Sequence, residues 1–78
     1  MVKFFVRATE TGRVVYLPLD EICLEILEVD YEKQGVYGKQ LTAIYQGVTY
    51  NLGQMDHTGD ERLAVQGMLS KISVEIRL

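Results

Sequence analysis

Apolar and polar side chains alternate from the first residues of the chain. Val2, Phe4, Val6 and Ala8 alternate with Lys3, Phe5, Arg7 and Thr9. Period two with this β-branched and aromatic content predicts a strand. Glu10-Thr11-Gly12 predicts a turn, because Gly takes positive φ without steric cost. Arg13-Val14-Val15-Tyr16-Leu17 is then the returning strand of a hairpin. Pro18, which lacks an amide N–H, ends that strand or places it at an edge.

Residues 19–29 carry two patterns. Pro18-Leu19-Asp20-Glu21-Ile22 has the proline and early acids of a helix start, with Leu19, Ile22, Cys23, Ile26 and Val29 on one face. Alternatively a short turn at 19–22 leads into a strand in which Leu24, Ile26 and Glu28 alternate with Glu25, Leu27 and Val29. The strand is preferred, because the next segment needs an antiparallel partner. That segment, Val36 to Tyr45 after a turn at Lys33-Gln34-Gly35, places Leu41, Ala43 and Tyr45 on one face. Gln46-Gly47 is a tight turn into Val48-Thr49-Tyr50-Asn51-Leu52, and Gly53 is expected to close this second hairpin.

A helix is predicted over 60–71. Thr58 stands three residues before Glu61 in a capping-box pattern, Asp60 adds negative charge near the start, and Ala64, Val65, Met68, Leu69 and Ile72 recur at helical spacing. Gly67 weakens such a helix by about 1 kcal/mol relative to Ala, which predicts a close packing contact there. Ser73-Val74-Glu75-Ile76-Arg77-Leu78 alternates cleanly and predicts a last strand at a sheet edge, open to a homodimer or a partner. The expected fold is one mainly β domain over residues 1–78, with five to six antiparallel strands in hairpins plus one C-terminal α-helix.

Composition narrows the classes. A chain of 78 residues, 47% hydrophobic and 24% charged, has the make-up of a single globular domain. At this size only about 60–65% of the unfolded chain's surface is buried, so the core is thin and leaves little interior for a deep active site. The formal net charge of −3 argues against sequence-blind binding to nucleic acid or anionic lipid. The single cysteine, Cys23, excludes an intrachain disulfide and fits a reducing, cytoplasmic setting. The longest uninterrupted apolar run is Val14-Val15-Tyr16-Leu17, against the roughly 7–15 residues of a signal-peptide core and about 20 of a membrane helix. No membrane association and no export leader are expected.

Catalytic and metal chemistry find few residues. His57, in Asp56-His57-Thr58, has the neighbour of a general base, but no nucleophile stands in a recognisable context. Cys23, between Ile22 and Leu24, is expected to be a buried small hydrophobe. One Cys and one His do not make the usual zinc ligand set. Asp20, Glu21, Glu25, Glu28, Asp30 and Glu32 lack the spacing and central glycine of a calcium loop, so they read as a solvated face able to meet a basic partner. No glycine-rich phosphate loop is present. No enzymatic activity and no cofactor are expected.

The stretch Tyr31-Glu32-Lys33-Gln34-Gly35-Val36-Tyr37-Gly38-Lys39-Gln40 is the most suggestive. Lysines meet phosphates, and glutamines read adenine in the major groove. Val14-Val15-Tyr16-Leu17-Pro18-Leu19-Asp20-Glu21-Ile22 resembles the early part of LytTR-type DNA-binding domains. Leu41-Thr42-Ala43-Ile44-Tyr45-Gln46-Gly47-Val48-Thr49-Tyr50-Asn51-Leu52-Gly53 is similar to the family's next hairpin, and the helix at 60–71 to the one that follows it. The resemblance implies a β-rich bacterial regulatory domain that binds promoter DNA through hairpin loops. Lys33, Gln34, Lys39 and Gln40 would contact DNA from one loop, and Asn51, Gln54 and His57 from the other side of the second hairpin. The sequence departs from the family after the helix, where Ser73–Leu78 replaces an aromatic-Arg-x-His-x-Ser-type segment.

The alternative expectation is a protein-interaction module, an accessory or inhibitory subunit of phage or plasmid origin, using Asp20, Glu21, Glu25 and Glu28 or a sheet edge. The charge map separates the two. A contiguous basic face around Lys33 and Lys39 favours DNA, whereas lysines interleaved with carboxylates favour a protein partner.

Overall fold

The computed structural model describes residues 1–31, 36–55 and 59–77. Six antiparallel strands form one sheet: β1 (Val2–Glu10), β2 (Arg13–Pro18), β3 (Cys23–Tyr31), β4 (Val36–Tyr45), β5 (Val48–Met55) and β6 (Ser73–Arg77). One helix, α1 (Glu61–Ile72), precedes β6. A 3-10 turn at Leu19–Glu21 leads into β3, so 19–29 takes the turn-then-strand form, and β4 is the partner that holds it there.

Two of the hairpins close through two-residue turns. Thr11 and Gly12 have φ of 47° and 81°, and Gln46 and Gly47 have 51° and 79°. Positive φ at both central residues is the type I′ geometry, whose twist matches that of paired strands. The turns fix register: Glu10 lies opposite Arg13 and Arg7 opposite Tyr16, while Tyr45 lies opposite Val48.

The strand order is β2-β1-β5-β4-β3, with β6 pairing β1 off this path. Phe5 and Val6 pair with both β2 and β6, so these two strands flank β1 on opposite sides. Thr9 pairs with Asn51 of β5 on the β6 side, because its other side is taken by Val14. β1 is thus shared between β6 along Val2–Val6 and β5 at Thr9.

α1 covers one face of this sheet. The buried core consists of Val6 and Ala8 from β1, Leu17 from β2, Leu41 and Ala43 from β4, Leu52 and Met55 from β5, and Ile72 from α1. Ala64, Val65, Met68 and Leu69 pack against it from the helix at the predicted spacing. This is the thin core of a small domain.

Four details differ from the sequence reading. Gly53 does not close β5, which runs on to Met55 through a bulge: Leu41 faces Gly53 and Thr42 faces Asn51, leaving Leu52 extra. Asn51 Oδ1 accepts the Gly53 N–H at 2.9 Å, and Gly53 has a φ of 138°, so the Asn-Leu-Gly triplet forms the bulge instead of a stop. The helix is capped by Asp60, whose Oδ1 accepts the Arg62 N–H at 3.0 Å, and α1 begins at Glu61, while Thr58 lies outside the described residues. A Cβ at Gly67 would meet nothing within 4 Å, so no close contact explains that glycine. Cys23 is exposed, because as the first residue of β3, opposite Ile44, it falls on the face that the helix does not cover.

Candidate functional site

Because α1 lies on one side only, the other face of the sheet is open among the described residues. Pairing assigns its occupants. On the β2-β1-β6 half they are Lys3, Phe5, Arg7 and Thr9 from β1, Val14, Tyr16 and the buried Pro18 from β2, and Val74 and Ile76 from β6. On the β5-β4-β3 half they are Thr49, Asn51 and Gln54, Gln40, Thr42 and Ile44, and Cys23, Glu25 and Leu27. The first half is dominated by apolar side chains and the second by amides, hydroxyls and a carboxylate.

The apolar half is strongly exposed. Val14 is 58%, Tyr16 54%, Val74 40% and Ile76 40% accessible. Phe5 lies between them with the Lys3 ammonium 5.6 Å from its ring centroid, a cation–π distance. Lys3 also meets Glu21 at 3.6 Å, which anchors the 3-10 turn to β1. Where β1 passes from β6 to β5, Arg7, Tyr16, Lys71, Ile72 and Val74 line a notch of about 80 Å³.

The sequence-derived candidates separate in space. Gln40 and Gln54 face each other across β4 and β5 on the open face, and Asn51 lies nearby opposite Thr42. Asn51 is committed to the bulge through its side-chain oxygen, and its backbone oxygen accepts the Thr9 hydroxyl at 3.3 Å. Thr42 is buried, with its hydroxyl donating to the Glu25 carbonyl at 2.9 Å. Lys39 is on the opposite face, where its ammonium donates to Glu61 Oε1 at the start of α1. That hydrogen bond holds the Lys39 pKa above the ordinary 10.5 against the opposing effect of desolvation, and the charges of Glu61 and of Glu28 directly across the strand pair add to it. Lys33, Gln34 and His57 lie outside the described residues.

The acidic candidates do not share a face either. Glu25 is on the open face opposite Thr42, and Glu28 is on the helix face opposite Lys39. Asp20 and Glu21 belong to the 3-10 turn, and Glu21 is paired with Lys3. Sequence reading missed Arg7, Tyr16 and Lys71 as neighbours. The Arg7–Tyr16 pairing was available from the two-residue turn at Thr11-Gly12, but Lys71 joins them only when β6 docks on β1.

Two further concavities occur among the described residues. Val2, Lys3, Phe4, Leu19 and Asp20 line one of about 200 Å³, and Ile26, Glu61, Arg62, Val65 and Gln66 line another of about 360 Å³ against the helix start. No group of three or more His, Cys, Asp or Glu residues is placed to hold a metal ion among the described residues, and no helix there is long and apolar enough to cross a membrane. Set against protein-family models, curated proteins and solved structures, the chain matches none of them. The likeness to LytTR domains therefore rests on the quoted residues alone.

Proposed function

We propose that this chain is a non-enzymatic protein-interaction module that docks a partner on the apolar half of its open sheet face. The observation that carries the reading is the cluster of Phe5, Val14, Tyr16, Val74 and Ile76 on one uncovered surface, four of them at 40–58% exposure. Contiguous apolar surface of this kind is costly to leave in water and marks interaction sites. Tyr and Phe are also the residue types enriched at interface centres. The charge map favours the same side. Lys39, one of the two lysines expected to meet phosphates, is interleaved with Glu28 and paired with Glu61, and the chain carries a net charge of −3, while Lys33 lies outside the described residues.

The test is selection from a random-peptide display library against the wild-type chain, with counter-selection against Tyr16→Lys/Ile76→Lys. Both side chains are exposed, so the variant should melt like the wild type. Peptides that bind wild type and not the variant are expected, with no retention of mixed duplex DNA at low salt. Retention of that DNA, abolished by Gln40→Ala/Gln54→Ala, would overturn the proposal. So would a library that yields no peptide able to tell the two proteins apart.

A further inference from the structure

Resting on that docking face, we infer that the partner segment carries a carboxylate, flanked by apolar side chains, that seats in the notch between Arg7 and Lys71. Lys3, Lys39 and Arg77 each have a carboxylate partner in Glu21, Glu61 and Glu75. Arg7, Arg13, Arg62 and Lys71 have no ion-pair partner among the described residues, and of these Arg7 and Lys71 border the same notch. Two cations without an ion pair among the described residues, placed together in an acidic protein, create a local positive potential that a carboxylate would neutralise.

The surroundings specify more than charge. Tyr16 lies directly across from Arg7 in the β1–β2 register, and Val74 lines the opposite wall. Arginine presents planar paired donors suited to a carboxylate, and lysine supplies a point charge beside it. The volume of about 80 Å³ is enough to seat one small anionic group. Val14, Ile76 and Phe5 continue the apolar surface to either side, so apolar residues next to the acid would be buried at the same time. Lys71 also sits in the last turn of α1, where a cation complements the helix dipole. That role accounts for a positive charge at 71, but not for Arg7 beside it.

The experiment uses a peptide obtained in the selection above. Its acidic residue is identified by substitution, and its affinity is measured by titration calorimetry against wild type, Arg7→Glu, Lys71→Glu and Arg7→Gln/Lys71→Gln. Selected peptides should be enriched in Asp or Glu next to apolar residues. Each charge reversal should weaken binding by about tenfold or more. Replacing the peptide's acid with Lys should restore binding to the reversed variants and abolish it for wild type. Affinity should fall as salt rises, since Arg7 and Lys71 are both exposed. Peptides that need Tyr16 and Ile76 but are indifferent to residues 7 and 71 would overturn this inference and leave the docking face standing. Absence of any selected peptide would remove both.

Discussion

Lys39 shows how a residue's neighbours decide its use. Its sequence context, between Gly38 and Gln40, suggested a phosphate contact, and the structure gives its ammonium to Glu61 with Glu28 alongside. A folded-state pKa raised above 10.5 means that the stabilisation is complete below that value and is lost as pH climbs through the raised one. Urea unfolding of wild type and Lys39→Met across the alkaline range should show a gap in stability that holds at neutral pH and closes above pH 10.5. A gap unchanged into that range would contradict the pairing. Asp60 offers a second test. Its carboxylate accepts the Arg62 N–H, so Asp60→Ala should cost about 0.5–2 kcal/mol of stability. In a domain of this size that lowers the melting temperature by roughly 4–8 °C per kcal/mol. An unchanged melting curve would show that the cap contributes nothing.

At the scale of elements, alternation and turn chemistry carried most of the fold. β1 follows period two, β4 places Leu41, Ala43 and Tyr45 on one face, and the dipeptides Thr11-Gly12 and Gln46-Gly47 fix the registers of two hairpins. The strand at β3 was legible only through its partner, since its own pattern served a helix equally well. What the sequence hid depends on contacts between distant residues. The bulge at Gly53 needs Asn51 to accept its N–H and Met68 to fill the space beside it, and the exposure of Cys23 depends on which side α1 chooses. The docking half of the open face was concealed for the same reason, because Val74 and Ile76 reach Phe5 only through the pairing of β6 with β1. Two glycines should now respond oppositely to alanine in thermal unfolding. At Gly53, φ is 138° and a Cβ would lie 3.4 Å from the Met68 side chain, so Gly53→Ala should destabilise by about 1–3 kcal/mol. Gly67 is inside the helix, exposed, with open space around it, so Gly67→Ala should stabilise by about 0.5–1 kcal/mol. The same sign at both positions would contradict these assignments.

At the scale of the molecule, one helix packs on one face of a six-stranded sheet, beyond whose reach Val2, Phe4 and Leu24 stay exposed. Among the described residues the other face is largely open, with Thr42 and Pro18 buried on it. That face is divided. Its β5-β4-β3 half is polar, with Thr42 and Asn51 already satisfied by the fold, and its β2-β1-β6 half is mostly apolar, with Arg7 and Lys71, unpaired among the described residues, bordering the notch where β1 leaves β6. An antiparallel sheet tolerates water on a polar face, as the first half shows. The second half is the exception that a binding partner would resolve. The most direct measurement is an amide chemical-shift map of the isotopically labelled chain titrated with the tightest selected peptide. Shifts gathered at Phe5, Arg7, Val14, Tyr16, Val74 and Ile76 are the predicted result. Shifts gathered instead at Gln40, Thr49, Asn51 and Gln54, or along the outer side of α1, would contradict the account.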